Sequence, residues 1–383
     1  MEEIQEQQVH ILIGCADARD LSQLQVDAVT KTSAAYKAKG ISIEFHVIRA
    51  AGSFATPDII EDIKRTCEAN QRNSKFIDKQ ISYYVHIQSH GQLDESSDKS
   101  YVSHIYNMKI VEGSPFNCGM LGATGVGVEL EKLIVDEKPV IRRKGVDVVV
   151  DTDSKIRILL KELYAYDGYL AGDWVKSIDY LRTHPRTQRA ILEKAIMFDP
   201  NLKALNIKVT AGIQDYSIHA MIRVDGGHPA VSFWDDVQAY IRENGTKEKV
   251  LHDVLSHQAE KQKPHAGLLC MSDPRMSSRL LAAKYYLDYK GLEQTEAYMP
   301  NTVFNLTGTS FDMPFTPFGP YVIAGFYYSV KHLGLTDQMI MGYDESQTNR
   351  ILQKIKNDLL MSLIVKKFNV NLIPLNQLNL VKQ

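Results

Sequence analysis

The chain has 383 residues, 44% hydrophobic and 23% charged, with a formal net charge of −2 and four cysteines. Such a length predicts two to three domains, or two similar units of roughly 150 residues, each able to bury a core. The composition excludes a disordered chain, near-neutrality leaves no nucleic-acid footprint, and scattered cysteines without a CxxC pair exclude a disulfide scaffold.

Packing, metal ligation or catalysis remain as uses for Cys15, Cys67, Cys118 and Cys270. No segment approaches the roughly 18 apolar residues of a membrane helix. The acidic start MEEIQEQQ has no signal-peptide pattern, so the expected location is cytoplasmic.

The first predicted strand is VHILIG (9–14), short, apolar and β-branched, as a buried parallel strand requires. It runs into Cys15-Ala16-Asp17-Ala18-Arg19, then a helix from about Leu21 to Lys39 ended by Gly40. A second strand (41–49) leads to Ala50-Ala51-Gly52-Ser53, and Thr56-Pro57-Asp58 opens another helix with Pro near its first position. The third strand, Ile81 to Gln88, ends at Ser89-His90-Gly91. Alternating strands and helices predict a parallel α/β sheet, whose sites form at the carboxyl ends of strands. Cys15, Arg49 and His90 all sit at such ends.

Beyond His90, residues 94–117 read as an inserted loop or hairpin, and GATGVGVELEKLI as a small-residue helix start. The latter run lacks the GKS/T ending of a phosphate loop. Residues 155–203 read as helical with a break at His184-Pro185, and 206–224 as strand with a hairpin turn at DGGHP (225–229). The charged stretch 243–264 is the expected connection between a first unit (1–242, with insertions at 94–117 and 150–203) and a second (265–383).

The second unit repeats the first. CADAR at 15–19 is matched by MSDPR at 271–275, and a glycine follows 37 residues after Cys15 (Gly52) and 37 after Met271 (Gly308). The next strand ends at His90 in one unit and Tyr343 in the other, 38 and 35 residues beyond those glycines. The pattern is an internal duplication whose second copy has lost its ligand-type residues.

Cys15, His90 and Cys118 are a Cys2His donor set of the kind that suits zinc and leaves a fourth position open. Asp17 and Arg19, two residues apart, point the same way in an extended segment, and Arg can hold a carboxylate by two bonds. A Cys15/His90 thiol nucleophile and base is the alternative, although it gives no role to Cys118 or the Asp17–Arg19 pair. Cys67 and Cys270 read as packing residues. His86 and Gln88 share the side of the strand that carries His90, either as groups supporting a site or as solvent-facing polar alternation.

CADAR, VIRAAGS, a strand ending in His90 and the later Cys118-Gly119 together resemble the β-class carbonic anhydrases, with their CxDxR, VRNAGN-like and HxxCG motifs. The resemblance implies an α/β fold of two tandem β-carbonic-anhydrase-like units with mainly parallel sheets, packed as an internal pseudo-dimer. It implies zinc on Cys15, His90 and Cys118, with Asp17 and Arg19 as the dyad orienting water. The implied reaction is reversible hydration of CO2 to bicarbonate by zinc-bound hydroxide. One intact and one degenerate unit is similar to the carboxysome-shell subclass, though that subclass's long N-terminal segment has no counterpart here. CO2 and bicarbonate are then the partners, with no nucleic acid or membrane, and a homo-oligomer of pseudo-dimers is compatible.

One departure stands out: 27 residues separate His90 from Cys118 where the family has two, and position 93 is Leu. Either an insertion divides the ligands, or Cys118 is not a ligand and the metal site is incomplete, in which case Asp94 or His104 could substitute. Two alternatives follow: a zinc hydrolase of carbonyl sulfide or carbon disulfide, or a scaffold relative without catalysis.

Overall fold

The computed structural model describes residues 4, 6–16, 22–50, 53, 55–72, 80–91, 126–137, 140–143, 146–149, 179–215, 220–223, 232–244, 265–271, 286, 288–291, 303–307 and 318–375. It is a mixed α/β structure built on parallel strands. Strand β1 (Glu6–Cys15) is buried along most of its length, β2 spans Ile41–Ala50 and β3 spans Gln80–Gly91. Both faces of these strands are covered. Val9, Ile11 and Ile13 enter one apolar cluster and Leu12 the other, which is why the run is apolar throughout rather than alternating.

Helix α1 (Ser22–Lys37) and helix α2 (Pro57–Arg72) follow the first two strands. Gly40, at φ 77°, turns the chain into β2 after α1, in a left-handed conformation that suits glycine. Helix α3 covers Val126–Glu137 and leads to a separate antiparallel pair, β4 (Val140–Arg143) and β5 (Val146–Val149). Helix α4 (Asp179–Phe198) and the short α5 (Pro200–Ala204) precede β6 (Lys208–Asp215) and β7 (Ala220–Arg223).

Two expectations are corrected here. Helix α4 runs through His184-Pro185 without the expected break. Pro185 removes one backbone hydrogen bond near the helix start, while Leu192 and Ile196 further along anchor the helix in the core. The strand expected over 206–224 is instead two, β6 and β7, paired antiparallel with Asp215 opposite Ala220, and the expected turn at DGGHP (225–229) lies outside the described residues. The insertion 94–117 also lies outside them.

Helix α6 (Ser232–Asn244) takes in the first two residues of the expected connection, and the rest of 243–264 is outside the described residues. Then come β8 (Ala266–Cys270), β9 (Val303–Thr307), α7 (Pro320–Lys331), β10 (Asp337–Met341), α8 (Glu345–Asn357), α9 (Leu359–Lys367) and β11 (Asn371–Pro374). Among the described residues no helix is long and apolar enough to cross a membrane.

Nine strands form one sheet in the order β11-β10-β8-β9-β2-β1-β3-β6-β7. From the middle outward, β2-β1-β3-β6 is parallel throughout, and so is β9-β8-β10-β11. The same chain-order pattern thus runs outward in both directions, and the halves join by an antiparallel contact of Arg49 with Thr307, near the carboxyl ends of β2 and β9. The first half carries β7 as an extra antiparallel edge. In the registers, β3 lies 74 residues beyond β1 (Ile13 with Ile87) and β10 lies 71 beyond β8 (Met341 with Cys270). The β1–β2 offset is 35 and the β8–β9 offset 37, so neither spacing is identical in the two halves.

One cluster, with Ile48, Ile59, Leu306, Tyr321 and Phe326, runs across the junction. Helix α2 carries a second stripe, Asp62, Thr66 and Asn70, that is polar yet buried, and Asp62 meets α7 there. Thr66 and Asn70 donate to backbone carbonyls one turn earlier, and Tyr321 Oη donates to Asp62 Oδ2 at 2.8 Å. Asp58 Oδ2 accepts the Tyr321 backbone N–H, so one tyrosine ties α7 to α2 twice. Tyr321→Phe leaves the Asp62 carboxylate short of a donor and is expected to lower unfolding stability by about 1–3 kcal/mol in urea. An unchanged midpoint would show that this bond does not secure the junction.

Candidate functional site

Cys15 ends β1, pairs with Ala50 and is 3% exposed. Its side chain joins Ile11 and Ile13 in the larger cluster, and it is not in a disulfide. Ala16 N–H donates to Ala50 O, which carries the ladder one residue past the strand. Arg49, 2% exposed, donates from Nη1 to the Cys15 carbonyl at 3.1 Å. A buried guanidinium therefore holds the point at which CADAR leaves the sheet.

His90 is the penultimate residue of β3 and its backbone pairs with Gln214 of β6. The last paired positions of β1 and β3 are Ile13 and Ile87, so Cys15 and His90 stand two and three residues beyond them on neighbouring strands. Asp17, Arg19, Cys118, Asp94 and His104 lie outside the described residues, as does the His90 side chain. Among the described residues no group of three or more His, Cys, Asp or Glu is placed to hold a metal ion. What the structure brings together is the backbone of Cys15 and His90 at adjacent strand ends, with Arg49 behind Cys15.

The corresponding end of the second half is closed by its own hydrogen bonds. Met271 is buried, whereas Tyr343, which stands where the first half has His90, is 37% exposed. Asp344 caps α8 by accepting the Gln347 N–H, and Gln347 Oε1 accepts the Tyr343 N–H in return. Gly342 N–H donates to Thr348 Oγ1, and a Cβ at 342 would sit 2.5 Å from the Thr348 nitrogen, so only glycine fits. Cys67 and Cys270 are core residues, and burial pushes the Cys67 thiol up to about 12.

His86 and Gln88 are both buried, which removes solvent exposure as their explanation. Gln88 Oε1 accepts from Gln25 of α1, and His86 belongs to a polar chain across three strands. Glu6 Oε1 can only accept, so it fixes the Gln8 amide with Nε2 towards it and Oε1 towards His10. His10 then donates from Nε2 to Gln8 and accepts at Nδ1 from His86 Nε2, 2.9 Å away. His86 in turn accepts at Nδ1 from Thr210 Oγ1 at 2.8 Å. Tyr84 stacks on His10 at 4.6 Å and Trp234 on His86 at 4.4 Å. Trp234 and the neighbouring Leu12, Tyr84 and Phe233 place this chain on the side of the sheet opposite Cys15.

Full burial lowers His10 from 6.5 to about 3, which favours the neutral ring the chain needs. The unfolded chain takes up this proton below about pH 6.5 and the folded chain refuses it until about pH 3. Stability is therefore lost as the pH falls through that window, by at most about 1.4 kcal/mol per pH unit. Nitrogen-15 NMR at pH 5 is expected to find His10 neutral with its proton on Nε2. A charged ring at that pH would contradict the arrangement.

No protein-family model matches the chain, and a search of the curated proteins finds no match.

Proposed function

We propose that the chain is two β-carbonic-anhydrase-like units in tandem, and that the first hydrates CO2 reversibly to bicarbonate with zinc on Cys15, His90 and Cys118. The observation that carries this reading is the strand order repeated outward from β2 and β9, with the CADAR run leaving β1 beside that junction. Two like units meeting near the carboxyl ends of their second strands is the arrangement of an internal pseudo-dimer. The donor types fit the metal, since two thiolates and an imidazole suit zinc.

When bound there, zinc supplies a Lewis acid that makes water a nucleophile near neutral pH. The residues of the chain do the rest. Asp17 accepts a hydrogen bond from the attacking water and so orients it, and Arg19 keeps Asp17 ionised and fixed by pairing with it. Arg49 holds the end of β1 from which both extend. CO2 and water give bicarbonate and a proton, which leaves to buffer. The second unit contributes packing, because its own strand end is tied off by Asp344, Gln347 and Thr348.

Metal analysis with stopped-flow CO2 hydration tests the proposal. Zinc near one per chain and a rate above buffer between about pH 7 and 9 are expected, within the range where such metal sites work. Zinc without CO2 hydration would move the activity to carbonyl sulfide or carbon disulfide. The 27 residues between His90 and Cys118 favour a scaffold as the second reading, and a folded protein without zinc would establish it.

A further inference from the structure

Two buried donors lie beside the turn that follows β2. Ser53 is fully buried at φ 56°, a left-handed conformation that a residue with a Cβ adopts only under strain. Gln188, on α4 and 1% exposed, accepts the Ala55 N–H at its Oε1 at 2.8 Å. That bond fixes the amide, because a flipped Gln188 would set two donors against each other. Its Nε2 therefore points away from Ala55. Among the described residues, neither Gln188 Nε2 nor Ser53 Oγ has a hydrogen-bond partner. An unmade bond at a buried polar atom is costly, so two of them beside one strained turn call for an explanation.

The location supplies one. Ala55 shares its apolar cluster with Cys15, Ala16 and Ala50, and Leu192, one turn beyond Gln188, lies in that cluster too. Both donors thus stand on the Cys15 side of the sheet, at its carboxyl end, with the buried Arg49 cation four residues before Ser53. An amide N–H and a hydroxyl are matched by a ligand that brings acceptors only. We propose that Ser53 Oγ and Gln188 Nε2 are the paired donors of a site for a small planar oxyanion. That the anion is bicarbonate rests on the function proposed above; that an oxyanion binds does not.

The test is calorimetric titration of sodium bicarbonate into the full chain in the presence of a chelator, with sodium chloride as control. Ser53→Gly removes the hydroxyl and suits the positive φ, so its melting temperature is expected to equal or exceed that of the wild type. Gln188→Glu keeps the acceptor for Ala55 and replaces the free donor with a negative oxygen. Saturable binding of bicarbonate is expected, weakened about tenfold or more by each change. Absence of saturable binding in the wild type, equal binding of chloride, or unchanged affinity in Ser53→Gly would overturn the proposal, and Ser53→Gly decides alone if Gln188→Glu does not fold. Because the metal is absent throughout, failure of the zinc-loaded chain to hydrate CO2 would count against the proposed reaction and not against this site.

Discussion

Cys15→Ser is expected to lose zinc and, with it, CO2 hydration down to the uncatalysed rate, a fall on the order of 10⁶-fold. The two side chains have nearly the same shape, so Cys15 can be replaced in its buried place at the end of β1 without reshaping the core. The chemistry differs. A thiol ionises and binds zinc through sulfur, whereas an alcohol keeps its proton at neutral pH. Burying the hydroxyl costs about 1–3 kcal/mol, which lowers the midpoint but leaves a folded protein to assay. Asp17→Ala separates binding from catalysis: zinc is retained and the rate falls by about 10²–10⁴-fold, as for loss of a positioned proton acceptor. Activity that survives Cys15→Ser would remove Cys15 from the site.

Trp234→Ala is expected to cost about 3–5 kcal/mol in urea unfolding, the largest stability effect of any single substitution considered. The indole is fully buried, lies 4.4 Å from the His86 ring and 5.8 Å from Phe45, and belongs to the smaller of the two apolar clusters. Among the described residues, α1 and α6 are the helices that cover this cluster, and the void would lie at the centre of its ring contacts. The space would also open the neutral His10–His86 pair to water, adding acid sensitivity to the loss of packing. A cost below about 1 kcal/mol would mean that α6 is not seated as described.

The first three strands and first two helices are legible because each carries a local signal. VHILIG is apolar on both faces, Gly40 ends α1 in a conformation that suits glycine, and Pro57 opens α2. The end of β3 is less legible: the sheet continues through Gly91 because β6 lies alongside, and β6 begins more than a hundred residues later. The same distance hides the polar chain. His10 looks like an isolated polar residue in an apolar strand, since its partner is 76 residues away and Thr210 is 124 beyond His86. Pro185 marks a helix break by local rules, but one lost bond is outweighed by the anchoring of Leu192 and Ile196.

Of the candidate site, the positions of Cys15, Arg49 and His90 at strand ends are readable from where each apolar run stops. The Arg49 bond to the Cys15 carbonyl is not, because it depends on the register of two strands. Gln188 is hidden for a similar reason: it reaches the turn after β2 from a helix 133 residues further along the chain. CADAR and MSDPR, each followed by a glycine 37 residues on, are visible in sequence, whereas the offsets of the strands that precede them, 35 and 37, are set by pairing and are not.

X-ray absorption at the zinc edge of the purified full chain bears most directly on the central proposal. A zinc site with two sulfur and one nitrogen donors, losing one sulfur in Cys15→Ser and the other in Cys118→Ser, is the predicted result. A chain that folds and contains no zinc, or zinc whose spectrum is the same in both variants, would contradict it.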